Sequence, residues 1–207
     1  LMTDSKTTLG VIAVVVGLIG YAPYFRDILN GRTKPHFFSW FVWALLGGLA
    51  FFAQVVGHAG PGAWVTGCTA VICLVIAILA LKKGEKEITK FDWLCLAGAL
   101  LGIILWIKTK NPFSAVIFIT LIDSMAFIPT FRKSYNKPGE ETAVEYALAA
   151  LKWTIGLFAI ESFSLVTWLY PAVLIITNSL FVMMVLIRRR VLASSPISNN
   201  SNIGNES

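Results

Sequence analysis

Two side chains stand where an ion is costly. Asp123 and Lys152 each fall about ten residues into a long apolar run, roughly 15 Å along it at 1.5 Å per residue. At that depth in a bilayer an ionised group costs at least about 2.5 kcal/mol, so each needs a partner or a watery cavity. They could neutralise one another across a helix interface, or Asp123 could contact a bound polar solute and exchange protons with it. Lys152 could snorkel along its own helix, and Glu145, two turns away on the same face, offers it another partner. Asn178 lies near the middle of a further run, where an amide in hydrocarbon demands hydrogen bonds; Thr167 and Pro171 share its face. Thr66, Thr69 and Cys73 form a small, mildly polar stripe that suits close packing as well as the wall of a site. Of the seven tryptophans, Trp43 and Trp153 lie deep enough to stack on a ring-bearing substrate and Trp40 is intermediate. Trp64, Trp93, Trp106 and Trp168 lie near run ends, where an indole N–H meets the wet boundary. Gln54 reads as an interfacial residue or a hydrogen-bonding link. The candidate substrate-binding set is Asp123, Asn178, Lys152, Trp43, Trp153 and Thr69.

The elements that must position these residues are membrane helices. Of the 207 residues, 57% are hydrophobic and 14% charged, with a mean hydropathy of +0.75, values that exclude an ordinary soluble domain. Seven runs are long enough to span about 30 Å of hydrocarbon: 8–26, 37–57, 62–82, 92–109, 113–131, 142–161 and 165–188. Residues before the first run read as a short polar lead, and no small-residue cleavage site follows that run, so it is expected to be retained. Thirteen Lys and Arg fall in the first, third and fifth loops and after the last run, against Lys6, Lys108 and Lys110 on the other side. This asymmetry predicts a multi-pass protein of the cell membrane, with the N-terminus outside and the C-terminus in the cytoplasm. The Ser/Asn-rich tail, 191–207, reads as disordered.

Other chemistries lack their residues. There is no HExxH, no pair of catalytic aspartates and no Ser/His constellation, so no enzyme is expected. Cys68, Cys73 and Cys95 lie inside apolar runs without CxxC spacing, and His36 and His58 have no second ligand at i+3 or i+4, so neither metal nor cofactor is expected. The +6 net charge resides in short loops rather than on an aromatic and basic platform, which argues against nucleic acid. The last run has no lysine for a retinal Schiff base. Gly98-x-x-x-Gly102 allows close helix contact, inside the molecule or in a homo-oligomer.

Sliding the chain by 106 residues exposes an internal repeat. Pro23-x-Phe25-Arg26 then falls on Pro129-x-Phe131-Arg132, Asn30 on Asn136, Trp64 on Tyr170, Leu74 on Leu180, and Lys82-Lys83 on Arg188-Arg189. The expected layout is a first three-helix bundle (8–82), a linker helix (92–109) and a second bundle (113–188), all α. The linker gives both units one orientation, as in parallel repeats. Asp123 and Lys152 align with Gly17 and Leu46, so the charges belong to the second unit alone.

This 3+1+3 arrangement, with a proline near the cytoplasmic end of the first and fifth helices, resembles the SWEET and PQ-loop family of small transporters. Tyr24 and Thr130 stand where the PQ-loop signature has glutamine, and Ala172 follows Pro171 where sugar-carrying members have asparagine. The resemblance implies alternating access for a small polar metabolite without specifying a sugar; the same family contains a seven-helix sorting receptor, the alternative class. Helix count, repeat layout and tryptophan content are also similar to bacterial nicotinamide riboside transporters, which implies a vitamin-like or nucleoside-like substrate. The expected partners are a small-molecule substrate and the lipid bilayer.

Overall fold

The computed structural model describes residues 2–85, 88–109 and 111–194, leaving aside the side chains of 2–4, 91, 92, 95, 99, 102, 103, 105, 106, 109 and 112. The readings placed on Cys95, Trp106, the second glycine of Gly98-x-x-x-Gly102 and the tail beyond 194 lie outside the described residues.

Among the described residues there are seven α-helices and no strand. They are α1 (Met2–Leu29), α2 (Phe37–Val56), α3 (Trp64–Lys83), α4 (Lys90–Thr109), α5 (Pro112–Asn136), α6 (Ala143–Phe158) and α7 (Leu165–Ser194). Short 3₁₀ turns stand at Gly60–Ala63 and Pro138–Glu140. Each apolar run therefore contains a helix. The helices α1, α2, α3, α5 and α7 are long and apolar enough to cross a bilayer, and the chain is an all-helical, membrane-embedded protein. The 16 residues of α6 span only about 24 Å, and two of them are Glu145 and Lys152.

Several boundaries differ from the sequence reading. The polar lead is helical from Met2, α5 runs on to Asn136, and α7 reaches Ser194, making the first residues of the expected tail helical. Apolarity marks the stretch that suits hydrocarbon, whereas backbone hydrogen bonding propagates beyond it until something competes with the next turn. At its other end α6 stops at Phe158 rather than 161, and the Glu161 N–H donates instead to the Ala59 carbonyl at 3.2 Å.

Burial follows the pattern of a protein dissolved in lipid. Large aliphatic side chains face outward, among them Ile19, Val71, Ile78, Leu121 and Met183, while glycine, alanine, aromatic and polar groups face inward. Small residues let backbones approach where no hydrophobic effect drives helices together. A Cβ on Gly20 of α1 would lie 2.9 Å from Leu148 Cβ of α6.

Helix α3 stands between α1 and α2, and α7 between α5 and α6. The two groups meet where α1 packs on α6 and α2 on α5, while α4 packs chiefly on α5. Pro171 inside α7 cannot donate to the Thr167 carbonyl. Gln54 Nε2 of α2 donates to that carbonyl at 3.3 Å, which makes Gln54 a link between helices.

At the basic end, Lys133 Nζ donates to Glu141 Oε2 at 2.9 Å, with both side chains buried. Lys133 also donates to the Glu140 carbonyl at 2.7 Å, and Arg189 Nε to the Pro138 carbonyl at 3.0 Å. Across the two groups, Thr142 Oγ1 donates to Asp27 Oδ2 at 3.1 Å.

One pairing from the 106-residue slide joins unlike environments: Trp64 is 43% exposed whereas Tyr170 is 3% exposed. For these third helices burial corresponds better one residue earlier. Val65, Cys73, Ile76 and Ala80 then fall on Tyr170, Asn178, Phe181 and Val185, all buried. Aliphatic helices carry few landmarks with which to fix such a register.

Candidate functional site

The side chains that looked costly in hydrocarbon converge. Asp123, Lys152, Asn178, Trp43, Trp153 and Thr69 all line one central cavity of about 40 Å³, room for a few waters and too small for a metabolite without the walls moving. Tyr21 comes from α1, Trp40, Trp43 and Gly47 from α2, and Thr66, Thr69 and Cys73 from α3. Facing them are Asp123 and Phe127 of α5, Glu145, Tyr146, Lys152 and Trp153 of α6, and Tyr170, Leu174 and Asn178 of α7.

Asp123 and Lys152 do not pair. Asp123, 2% exposed, accepts a hydrogen bond from Tyr170 Oη at 3.0 Å. Lys152, 1% exposed, donates to Tyr21 Oη at 2.8 Å. Its Nζ stands 4.3 Å from the Tyr21 ring centroid and 5.5 Å from that of Trp153, within reach of a cation–π attraction. The lysine therefore turns inward, contrary to the expectation that it could snorkel along α6. Gly17 makes this possible, since a Cβ there would lie 3.0 Å from Lys152 Cδ. Glu145 lines the same cavity and acts on Lys152 through its charge, but the two form no ion pair.

Asn178 donates from Nδ2 to the Leu174 carbonyl of its own helix at 2.7 Å, so that donor does not join α7 to a neighbour. Thr69 stands half-buried at the edge of the cavity, beside the buried Thr66 and Cys73. The rings are closely nested: centroids lie 5.1 Å apart for Trp40 and Trp43, 4.4 Å for Trp43 and Phe127, and 5.9 Å for Trp153 and Tyr170. Four buried polar atoms of cavity-lining residues, Trp40 Nε1, Trp43 Nε1, Thr66 Oγ1 and Tyr146 Oη, have no hydrogen-bond partner, a cost that water or a polar ligand could relieve.

Chemically, these groups could contact a small polar solute and exchange a proton with it once the walls move apart. Two carboxylates and one ammonium face the same space, on aromatic walls carrying spare donors. Among the described residues, no group of three His, Cys, Asp or Glu is disposed to hold a metal ion.

Sequence reasoning did not assign Tyr21, Phe127, Tyr146 and Tyr170 to the site. A signal existed for three of them: the slide that superposes Pro23 on Pro129 also puts Tyr21 on Phe127 and Trp40 on Tyr146. Comparison of the chain with protein-family models, curated proteins and solved structures gives no significant match in any of the three.

Proposed function

We propose that the chain is a carrier that moves a small polar metabolite across the cell membrane by alternating access between two three-helix bundles, α1–α3 and α5–α7, with α4 linking them. The single observation that carries this reading is the central cavity holding Asp123, Glu145 and Lys152, which is lined by residues from all six bundle helices and lies where the two bundles meet. A ligand held between two similar halves can be exposed to either side by rocking one half against the other.

Several features support the repeat. Buried positions recur at an offset of 106: Ala13, Gly17, Tyr21 and Tyr24 of α1 fall on Ile119, Asp123, Phe127 and Thr130 of α5, all buried. In α2 the buried Ser39, Trp40, Leu46 and Gly47 fall on Glu145, Tyr146, Lys152 and Trp153 of α6, again all buried. Helix neighbours correspond in the same way, the α1 and α6 contact mirroring that of α5 and α2. Lys34 bonds to Glu140, the residue 106 positions on, through both its backbone N–H at 3.3 Å and its ammonium at 2.9 Å. A residue that touches its own counterpart lies close to the axis relating the halves. The clustering of basic residues favours a cytoplasmic position for this end and an outside N-terminus. The resemblance to the SWEET and PQ-loop transporters points to the same mechanism, and the alternative is a receptor of that fold which binds without moving its ligand.

Cys73, buried in the cavity wall, offers a test. In protein carrying Cys68→Ser and Cys95→Ser, reconstituted in vesicles with one orientation, a membrane-impermeant maleimide should label Cys73 slowly from either face. Labelling from one face alone points to a receptor, and labelling from neither contradicts alternating access.

A further inference from the structure

We infer that the ligand of the central cavity is a small organic monocation, a protonated amine whose positive end sits against Asp123. The inference deepens the proposed function and rests on its reading of the cavity as a ligand site. Lys152 has the Tyr21 hydroxyl and two aromatic rings as surroundings, and Glu145, on the same cavity wall, is the carboxylate whose charge acts on it, without forming an ion pair. Asp123 remains. Its hydrogen-bond partner is Tyr170, and among the described residues no Lys, Arg or His forms an ion pair with it. A carboxylate 2% exposed at membrane depth without a counter-ion is costly, and a cationic ligand removes that cost.

The walls agree with a cation. The cavity offers aromatic faces, which attract positive charge, and Lys152 already uses two of them in this way. No arginine lines it, so nothing is built to grip a carboxylate or phosphate bidentately. The unpartnered indole N–H groups of Trp40 and Trp43 and the hydroxyl of Thr66 provide for hydrogen-bond acceptors elsewhere on the same ligand. An anionic solute would meet two carboxylates and one ammonium, and a neutral one would leave Asp123 uncompensated unless it bound a proton.

Calorimetry on the full chain in lipid nanodiscs separates these cases with three probes of one shape: benzylamine, benzyl alcohol and benzoate. Benzylamine should bind at least about tenfold more tightly than benzyl alcohol, the order expected for one charge-assisted bond, and benzoate should not compete. Asp123→Asn should remove that preference, and Asp123→Glu should restore part of it, with the thermal transition of each variant confirming a folded protein. Equal binding of amine and alcohol, a preference that survives in folded Asp123→Asn, or binding of none of the three to native protein would overturn the inference. Flux in proteoliposomes then keeps the two claims apart. Benzylamine that binds without crossing removes the carrier and leaves the cation site standing; a neutral solute that crosses, with no amine preference, does the reverse.

Discussion

Replacing Glu141 by alanine should destabilise the protein by about 3–5 kcal/mol, the cost of stripping one partner from a buried ion pair. Glu141 and Lys133 are both almost wholly buried, with Nζ and Oε2 2.9 Å apart, and Lys133 would be left with the Glu140 carbonyl alone. The pair closes the loop between α5 and α6, to which Arg189 of α7 is also bonded. Lys133→Ala should cost a similar amount, and the Lys133→Met, Glu141→Leu double variant should cost far less than the sum, because no orphaned charge remains. Denaturant titration of the four proteins in one detergent measures the cycle. Single variants within about 1 kcal/mol of the parent would mean that water reaches this pair and screens it.

Lys152→Met should be the most damaging change within the cavity. Methionine keeps the length of the side chain but forfeits a charged hydrogen bond to Tyr21, worth about 1.5–3 kcal/mol, and leaves Glu145, 3% exposed, without the cation that offsets its charge. Because Lys152 of α6 bonds Tyr21 of α1, the loss falls on the contact between these two helices and should depress ligand binding together with stability. Adding Glu145→Gln should return much of the stability, since it removes the stranded carboxylate. If Lys152→Met alone leaves the thermal transition unchanged, the lysine contributes nothing to holding α1 against α6.

Much of the site is legible in the sequence because cost leaves a mark. Hydrocarbon penalises Asp123, Lys152 and Asn178, so their presence in apolar runs signals a polar interior, and all six candidate residues line one cavity. Run lengths locate the helices, and the paired prolines, Pro23 and Pro129, are what suggests the proposed repeat. What the sequence does not reveal is of two kinds. The first is pairing: whether Asp123 meets Lys152 depends on helix rotation, and each charge meets a tyrosine instead, Tyr170 and Tyr21. The second is the role of residues that carry no penalty. Tyr21, Phe127 and Gly47 look like ordinary membrane residues, and only their neighbours across the bundle make them part of a site. Gln54 lies between, its amide marked as costly but its purpose set by the carbonyl that Pro171 frees 113 residues away in the chain.

If the chain is a carrier, a solute crosses the membrane through this cavity. The direct test is uptake into proteoliposomes of labelled amines, sugars, nucleosides, vitamins and amino acids, with and without a pH gradient, for the wild type and for Asp123→Asn. At least one solute should enter saturably with the wild-type protein, and folded Asp123→Asn should lose about tenfold or more of that flux, as removal of a charge-assisted contact requires. Ligands that bind the wild type while none crosses would contradict a carrier and make the chain a receptor.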